Sequence, residues 1–169
     1  MKYVACIGLE IHAELKTDTK LFCGCENSFG GEPNTRICAV CSGFPGAIGV
    51  LNKNALFLAV SSGLALDCRI NNYSAFDRKN YFYPDLPKGY QITQQRYPIC
   101  QDGFVQINDR KIRINNIHLE EDAGKLIHGK DITLIDFNRC GVPLIEIVTE
   151  PDITSADEAV SFVEEICLR

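Results

Sequence analysis

The chain has 169 residues, 46% of them hydrophobic, and a formal net charge of −5. That length and apolar content support a globular domain with a sizeable core, or one lobe of a larger protein, and exclude a disordered tail. The acidic balance argues against a broad basic surface, so this segment alone is expected to bind nucleic acid weakly. No run of about eighteen apolar residues is present to span a bilayer.

The amino terminus, Met1 to Ile7, enters a strand pattern directly, without the apolar core of a signal peptide or the Arg-rich stretch of a transit peptide, and a cytoplasmic protein is expected. In a reducing compartment nine cysteines, an odd number, read as ligands and small buried hydrophobes rather than disulfides. The first predicted strand runs roughly from Tyr3 to Glu14 and places Glu10, His12 and Glu14 on one face, with Leu9, Ile11, Ala13 and Leu15 on the other. A cysteine-rich loop, 22–46, follows. Its spacing, Cys23-x-Cys25-x12-Cys38-x2-Cys41, lets two close thiol pairs meet as a tetrahedral sulfur site. Zinc is the natural occupant, and four protein ligands leave no open position, so the site reads as structural; the alternative is four reduced cysteines in a loop. Cys6, Cys68, Cys100, Cys140 and Cys167 are scattered and read mainly as core packing.

Asn52 is placed to cap a helix whose apolar face carries Ala55, Leu56, Ala59, Val60, Gly63 and Leu64, small enough for close packing on a sheet. Between Tyr73 and Gln95 two prolines and a glycine predict an irregular aromatic segment. Short strands are then predicted over 104–108, 111–120, 126–128 and 132–137, separated by turn residues. In the second of these, Ile112 and Ile114 have the opposite parity to Ile117 and Leu119, which calls for a bulge near Asn115-Asn116. Simple alternation then puts Glu120 with His118, while a strand ending or bulging near Glu120 presents Glu121 instead. Ser155-Ala156-Asp157-Glu158 has capping-box spacing before a stripe of Ala159, Phe162, Val163, Ile166 and Cys167 that reaches Arg169, as expected for a fragment of a longer protein. Sequential strands with two or three helices predict an α+β fold rather than alternating βαβ units.

Three separated stretches set acids among apolar residues at strand spacing: 8–15, 117–122 and 143–150, the last with Glu146 and Glu150 on a shared face. A solvated antiparallel face also alternates in this way. Lysine or threonine would serve a wet face equally well, however, and clustered carboxylates repel unless a cation or proton sits among them. The repeated choice of acid favours a divalent-metal site, and oxygen ligands favour magnesium or manganese. The segment 77–91 interleaves Arg78, Lys79 and Lys88 with Tyr81, Phe82, Tyr83 and Tyr90, and reads either as a phosphate- and base-contacting loop or as one anchored by aromatic packing. With no Walker loop and no GxGxxG, a nucleotide site here needs another architecture.

Asp136 to Glu146 (DFNRCGVPLIE), together with Ile7 to His12, Phe76 to Gln91 and His118 to Lys125, resembles the characteristic blocks of the B subunits of the aspartyl/glutamyl-tRNA amidotransferases, and the resemblance spans the whole chain. The archaeal paralogue acting on glutamyl-tRNA is the close competitor. The resemblance implies the N-terminal part of the catalytic cradle domain across 1–169, an antiparallel sheet with flanking helices like that of glutamine synthetase and the guanidino kinases, with helical and tail domains lying beyond. It implies ATP- and magnesium-dependent phosphorylation of the side-chain carboxylate of glutamate or aspartate misattached to tRNA, followed by amidation with ammonia made from glutamine by the A subunit; a C subunit completes the assembly.

Carried onto this sequence, the resemblance makes Glu10, His12, Glu120, Glu121 and Glu150 the catalytic candidates. Glu10, His12, Glu121 and Glu150 are the magnesium candidates among them. Lys79 and Lys88 become phosphate candidates, and Asn138 and Arg139 either contact phosphate or fix the strand geometry. The cysteine quartet remains a separate structural zinc. Two other readings compete: a zinc-stabilised binding module whose acidic strands are only a solvated face, and a zinc hydrolase using His12, for which no HExxH helix is present.

Overall fold

The computed structural model describes residues 3–169, so Met1 and Lys2 of the amino-terminal reading lie outside the described residues. The fold is α+β. A five-stranded antiparallel sheet has the order β1-β9-β6-β5-β2, built from β1 (Glu10–Glu14), β2 (Arg69–Ile70), β5 (Cys100–Ile107), β6 (Arg110–Glu121) and β9 (Pro143–Thr149). Two hairpins flank it, β3 (Ala75–Asn80) with β4 (Tyr90–Tyr97) and β7 (Lys125–His128) with β8 (Thr133–Asp136).

The helices α1 (Lys53–Ala65) and α2 (Ala156–Leu168) share one core with the sheet's apolar face, where Ala55, Ala59 and Phe162 meet Ile112, Ile114, Ile117, Leu119, Ile145 and Ile147. Each begins at a side-chain cap. Asn52 accepts from the backbone N–H groups of Asn54 and Ala55, and Ser155 accepts from that of Glu158. The Glu158 carboxylate reaches back to the Thr154 N–H at 2.8 Å, one residue before the position a capping box uses. The small residues of α1 permit close approach to the sheet: a Cβ on Gly63 would lie 2.3 Å from the Cys100 sulfur. No helix among the described residues is long and apolar enough to cross a membrane.

Three expectations change in the folded chain. The first strand is confined to Glu10–Glu14, with Ile7 joining only through an isolated bridge to Ile153. The aromatic segment is regular at both ends, because Pro84, Pro87 and Gly89 all fall in the connection between β3 and β4 and leave the flanking residues free to pair. Of the scattered cysteines, Cys68, Cys100 and Cys140 are buried, whereas Cys6 and Cys167 are exposed.

The bulge in β6 lies between Ile114 and Asn116, where the register against β9 shifts. It lets Ile112 and Ile114 on one side of the irregularity, and Ile117 and Leu119 on the other, all enter the same core. Beyond Ile117, β5 has ended and β4 takes its place beside β6: the Leu119 N–H donates to Gln94 Oε1 and the Ile92 N–H to Glu121 Oε1.

Candidate functional site

The sheet face turned away from the helices carries the first cluster. Register sets His12 directly opposite Glu146, and Glu146 directly opposite His118, across β1, β9 and β6. Glu120 lies two residues beyond His118 on β6, on the same side. The His12 Nε2 is 2.8 Å from Glu120 Oε1 and 3.3 Å from Glu146 Oε2; the His118 Nε2 is 3.4 Å from Glu146 Oε2 and 3.8 Å from Glu120 Oε2. Two imidazoles and two carboxylates thus alternate around a small ring. One ligand atom each from His12, Glu120 and Glu146 lies within 4.8 Å of the others.

Burial within the ring is uneven. The side chains of Glu120 and Glu146 are 3% and 12% exposed, but that of His12 is 51% exposed, so the cluster opens to solvent on the β1 side. An adjoining cleft of about 370 Å³ is lined by His12, Glu14, Gln91, Glu120, Asp122, Ala123 and Leu144. Burial pushes the His118 pKa down, but hydrogen bonding to Glu120 and Glu146 outweighs it and raises the value to about 9. The same bond from His118 is the main cause holding Glu146 below the usual carboxylate range, with smaller help from His12 and Lys79. His118 Nδ1–H donates to Asn116 Oδ1 at 2.8 Å, which fixes the ring so that Nε2 faces the acids. A proton on His118 therefore does part of what a cation does here. Two carboxylate oxygens, one imidazole nitrogen and an open side for water or phosphate form a donor set that suits magnesium or manganese.

Of the candidates drawn from the sequence, His12 and Glu120 enter this cluster. Glu10 lies on the same face but opposite Val148, one pair further along, and is exposed. Glu121 points the other way: its Oε1 accepts from Lys88 Nζ and from the Ile92 N–H, and its backbone carbonyl accepts from Gln91 Nε2. Lys88 is accordingly committed to a buried ion pair. Glu150 lies past the end of β9 and accepts from Asn115 Nδ2 at 2.6 Å.

Asn138 joins the cysteine loop to the 3-10 turn at Phe137–Arg139, accepting from the Arg36 N–H at 2.8 Å and donating to the Glu32 carbonyl at 2.7 Å. Arg139 donates to the carbonyls of Ala123 and Gly124 and pairs with Asp122 at 3.3 Å. Both side chains fix loop geometry in this structure. Sequence reasoning placed Glu146 on an acidic face without making it a site residue, and gave His118 no role. What brings both into the cluster is the cross-strand register of β9 between β1 and β6, which pairs Glu146 with His12 on one side and with His118 on the other.

The second cluster lies in the loop after β1, where Cys23, Cys25, Cys38 and Cys41 place their sulfurs within 4.8 Å of one another. The Cys41 sulfur is 3.9 Å from that of Cys38 and 4.0 Å from that of Cys25. A tetrahedral zinc with sulfurs at about 2.3 Å requires sulfur–sulfur edges of about 3.8 Å, so the quartet is nearly at metal-binding geometry. Cys41 is the anionic member. Its pKa is drawn down to about 4, chiefly by a hydrogen bond from Cys23 and, against burial, by the Cys38 backbone N–H and the Lys20 charge. Hydrogen bonding to Cys41 pushes Cys23 up, and burial pushes Cys25 up to about 11.

Residues 5–168 match the GatB/GatE catalytic domain family. The chain belongs to that family. It is 61% identical over 99% of its length to the B subunit of the aspartyl/glutamyl-tRNA(Asn/Gln) amidotransferase of Ruminiclostridium cellulolyticum. It is 57% identical over 98% of its length to the protein of the same name from each of Caldanaerobacter subterraneus and Thermodesulfovibrio yellowstonii. In each case the match covers 36% of the relative, so the chain spans about a third of the length of these curated proteins.

Proposed function

We propose that this chain is the activating part of a glutamine-dependent tRNA amidotransferase, with a glutamine synthetase-like sheet as its catalytic surface, acting in the cytoplasm with a glutamine-hydrolysing A subunit and a C subunit. The supporting observation is the convergence of His12, Glu120 and Glu146 from three neighbouring strands onto the open face of the sheet, in a chain of the GatB/GatE family.

In this reading the side-chain carboxylate of glutamate or aspartate misattached to tRNA attacks the γ-phosphorus of ATP, and ADP leaves. Ammonia from the A subunit then adds to the carbonyl carbon of the acyl phosphate and phosphate leaves, giving the amide on Gln-tRNA or Asn-tRNA. A carboxylate resists direct amidation because oxide is a poor leaving group, and phosphorylation supplies a good one. Magnesium bound at the cleft supplies neutralisation of the charge spread over the phosphates.

The chain's own residues orient and neutralise. His12, Glu120 and Glu146 would hold the ion; His118, anchored by Asn116, bonds the same two carboxylates through its protonated Nε2 when no ion is held. Lys79, whose charge bears weakly on Glu146, is the basic residue this reading assigns to phosphate, whereas Lys88 holds the aromatic loop against Glu121. Asp122, raised by burial, lines the same cleft beside Glu14. No residue need form a covalent intermediate. The cysteine quartet is a structural zinc site that ties the loop to the Asn138 turn. The net charge of −5 supports weak tRNA contact by this segment itself.

The test is manganese- and magnesium-dependent ATP binding in the full-length protein. Glu120→Gln and Glu146→Gln are expected to abolish the metal dependence while zinc content and fold persist. Metal-dependent ATP binding equal to wild type in both variants overturns the reading.

A further inference from the structure

Lys20 is fully buried, at 0% exposure, and is the largest of the side chains wholly withdrawn from solvent. Its ammonium donates to the Arg36 carbonyl at 2.8 Å and faces the Cys41 sulfur at 3.7 Å. Among the described residues no carboxylate lies within ion-pair distance of it. Glu121 Oε2 lies beside the same Gly141 turn, 3.9 Å from where a Cβ there would sit, but makes no ion pair with Lys20, and the Oε1 of that carboxylate is held by Lys88 and the Ile92 N–H. Gly141 has φ +82°, and a Cβ there would sit 3.5 Å from the Cys41 Cβ and 3.6 Å from the Lys20 Cδ, so the lysine stem is packed between the turn and the cysteine loop.

A buried ammonium without a counter-charge is costly, and buried charges are paired or stand beside metals. Without a metal the quartet offers Lys20 at most one thiolate, the Cys41 sulfur at 3.7 Å. Four thiolates around one divalent ion carry a net charge of −2, and the sulfur nearest Lys20 also accepts the Cys38 N–H at 3.2 Å. We propose that Lys20 is the buried counter-ion of the metal-loaded cysteine quartet, a positioning residue that offsets the net negative charge of the loaded site and raises the retention of zinc. The inference rests on the reading of the quartet as a zinc site. It assigns Lys20 a role through Cys41 and not through the carboxylate cleft.

The experiment compares wild type, Lys20→Met, which keeps length without charge, and Lys20→Arg, which keeps charge. Zinc affinity is measured by competition with a chromogenic chelator, and thermal unfolding is followed with zinc and after its removal. Lys20→Met is expected to weaken zinc retention about ten- to hundredfold, as loss of an outer-sphere partner does, with partial recovery in Lys20→Arg. The stability penalty of Lys20→Met should be large with zinc and shrink without it, because the metal-free quartet faces Lys20 with the Cys41 sulfur alone whereas the loaded one carries a net charge of −2. A lysine that only fills space or bonds the Arg36 carbonyl gives the same penalty in both states. That outcome, or unchanged zinc affinity, overturns the proposal, and Lys20→Gln replaces the methionine variant if the latter does not fold. A wild-type protein that folds without binding zinc defeats the zinc reading itself and is distinguishable from either result.

Discussion

The two clusters are built in opposite ways. The cysteine quartet comes from one loop, with its first and last ligands 18 positions apart (41 − 23), and its atoms reach near-metal geometry around a local turn. The carboxylate cluster draws His12, Glu120 and Glu146 from three strands, over 134 positions (146 − 12), and exists only because β9 inserts between β1 and β6. A loop with little apolar material depends on its metal to stay folded; a sheet with a full core beneath it does not. Metal removal should therefore unfold one site and merely empty the other.

The largest effect should come from breaking that contrast on the sulfur side. Replacing Cys38 and Cys41 by serine, or chelating the zinc, is expected to cost on the order of several kcal/mol and to loosen residues 22–46 first. Hydrogen exchange checks this, with protection lost at the loop while β5 and β6 stay protected. Uniform loss throughout the sheet would show that the quartet is not a local staple.

The same contrast explains what could be read from the sequence. Ligand spacing within a loop is a property of the chain alone, so all four cysteines were legible. So were the Asn52 cap, the Ser155 cap and the bulge near Asn115, each set by neighbours in sequence. Which acids meet across a sheet is set by strand order and register. Parity alone placed Glu146 and Glu150 on one face but could not pair Glu146 with His12 and His118, and the resemblance singled out Glu150, which lies one residue past the strand end. Glu120 and Glu121 stand as alternatives in the sequence for a related reason: side chains switch faces at every residue of a strand, so one step moves the carboxylate from the open cleft to the Lys88 pair.

Glu121 sharpens the comparison because it is a buried acid that needs no metal. Its pair with Lys88 clamps the β3–β4 hairpin onto β6, and Glu121→Ala strands the Lys88 ammonium. A destabilisation of about 3–5 kcal/mol is expected, as when one partner of a buried pair is removed. Denaturant unfolding measures it, and Lys88→Met combined with Glu121→Gln should recover much of the loss. A cost below about 1 kcal/mol, the usual range of an exposed pair, would show that the clamp is solvated.

On the carboxylate side, Glu146→Gln should weaken manganese binding by at least about a hundredfold, since loss of even an outer partner reaches that figure. Glu150→Gln and Glu10→Gln should change it by less than about threefold, the scale of a nearby exposed charge in high dielectric. Manganese paramagnetic resonance separates the three. Equal losses for Glu146 and Glu150 would put the ion beyond the end of β9 rather than in the ring.

The smallest effect concerns the proton that His118 carries among the acids. Its pKa in the folded protein, about 9, lies above the ordinary histidine value near 6.5, so its contribution to stability is fully present below about pH 6.5 and is lost as pH rises through 9. Glu146, held low, contributes in the opposite sense: its share is present above the ordinary glutamate value and is lost as pH falls through its depressed folded value. Because the His118 proton and a divalent cation compete for the same two carboxylates, manganese affinity should rise as pH increases from about 6.5 to 9. In His118→Gln the rise should flatten, while metal-free stability loses its decline over that window. A pH dependence that survives the substitution would show that the competing proton is not the one on His118.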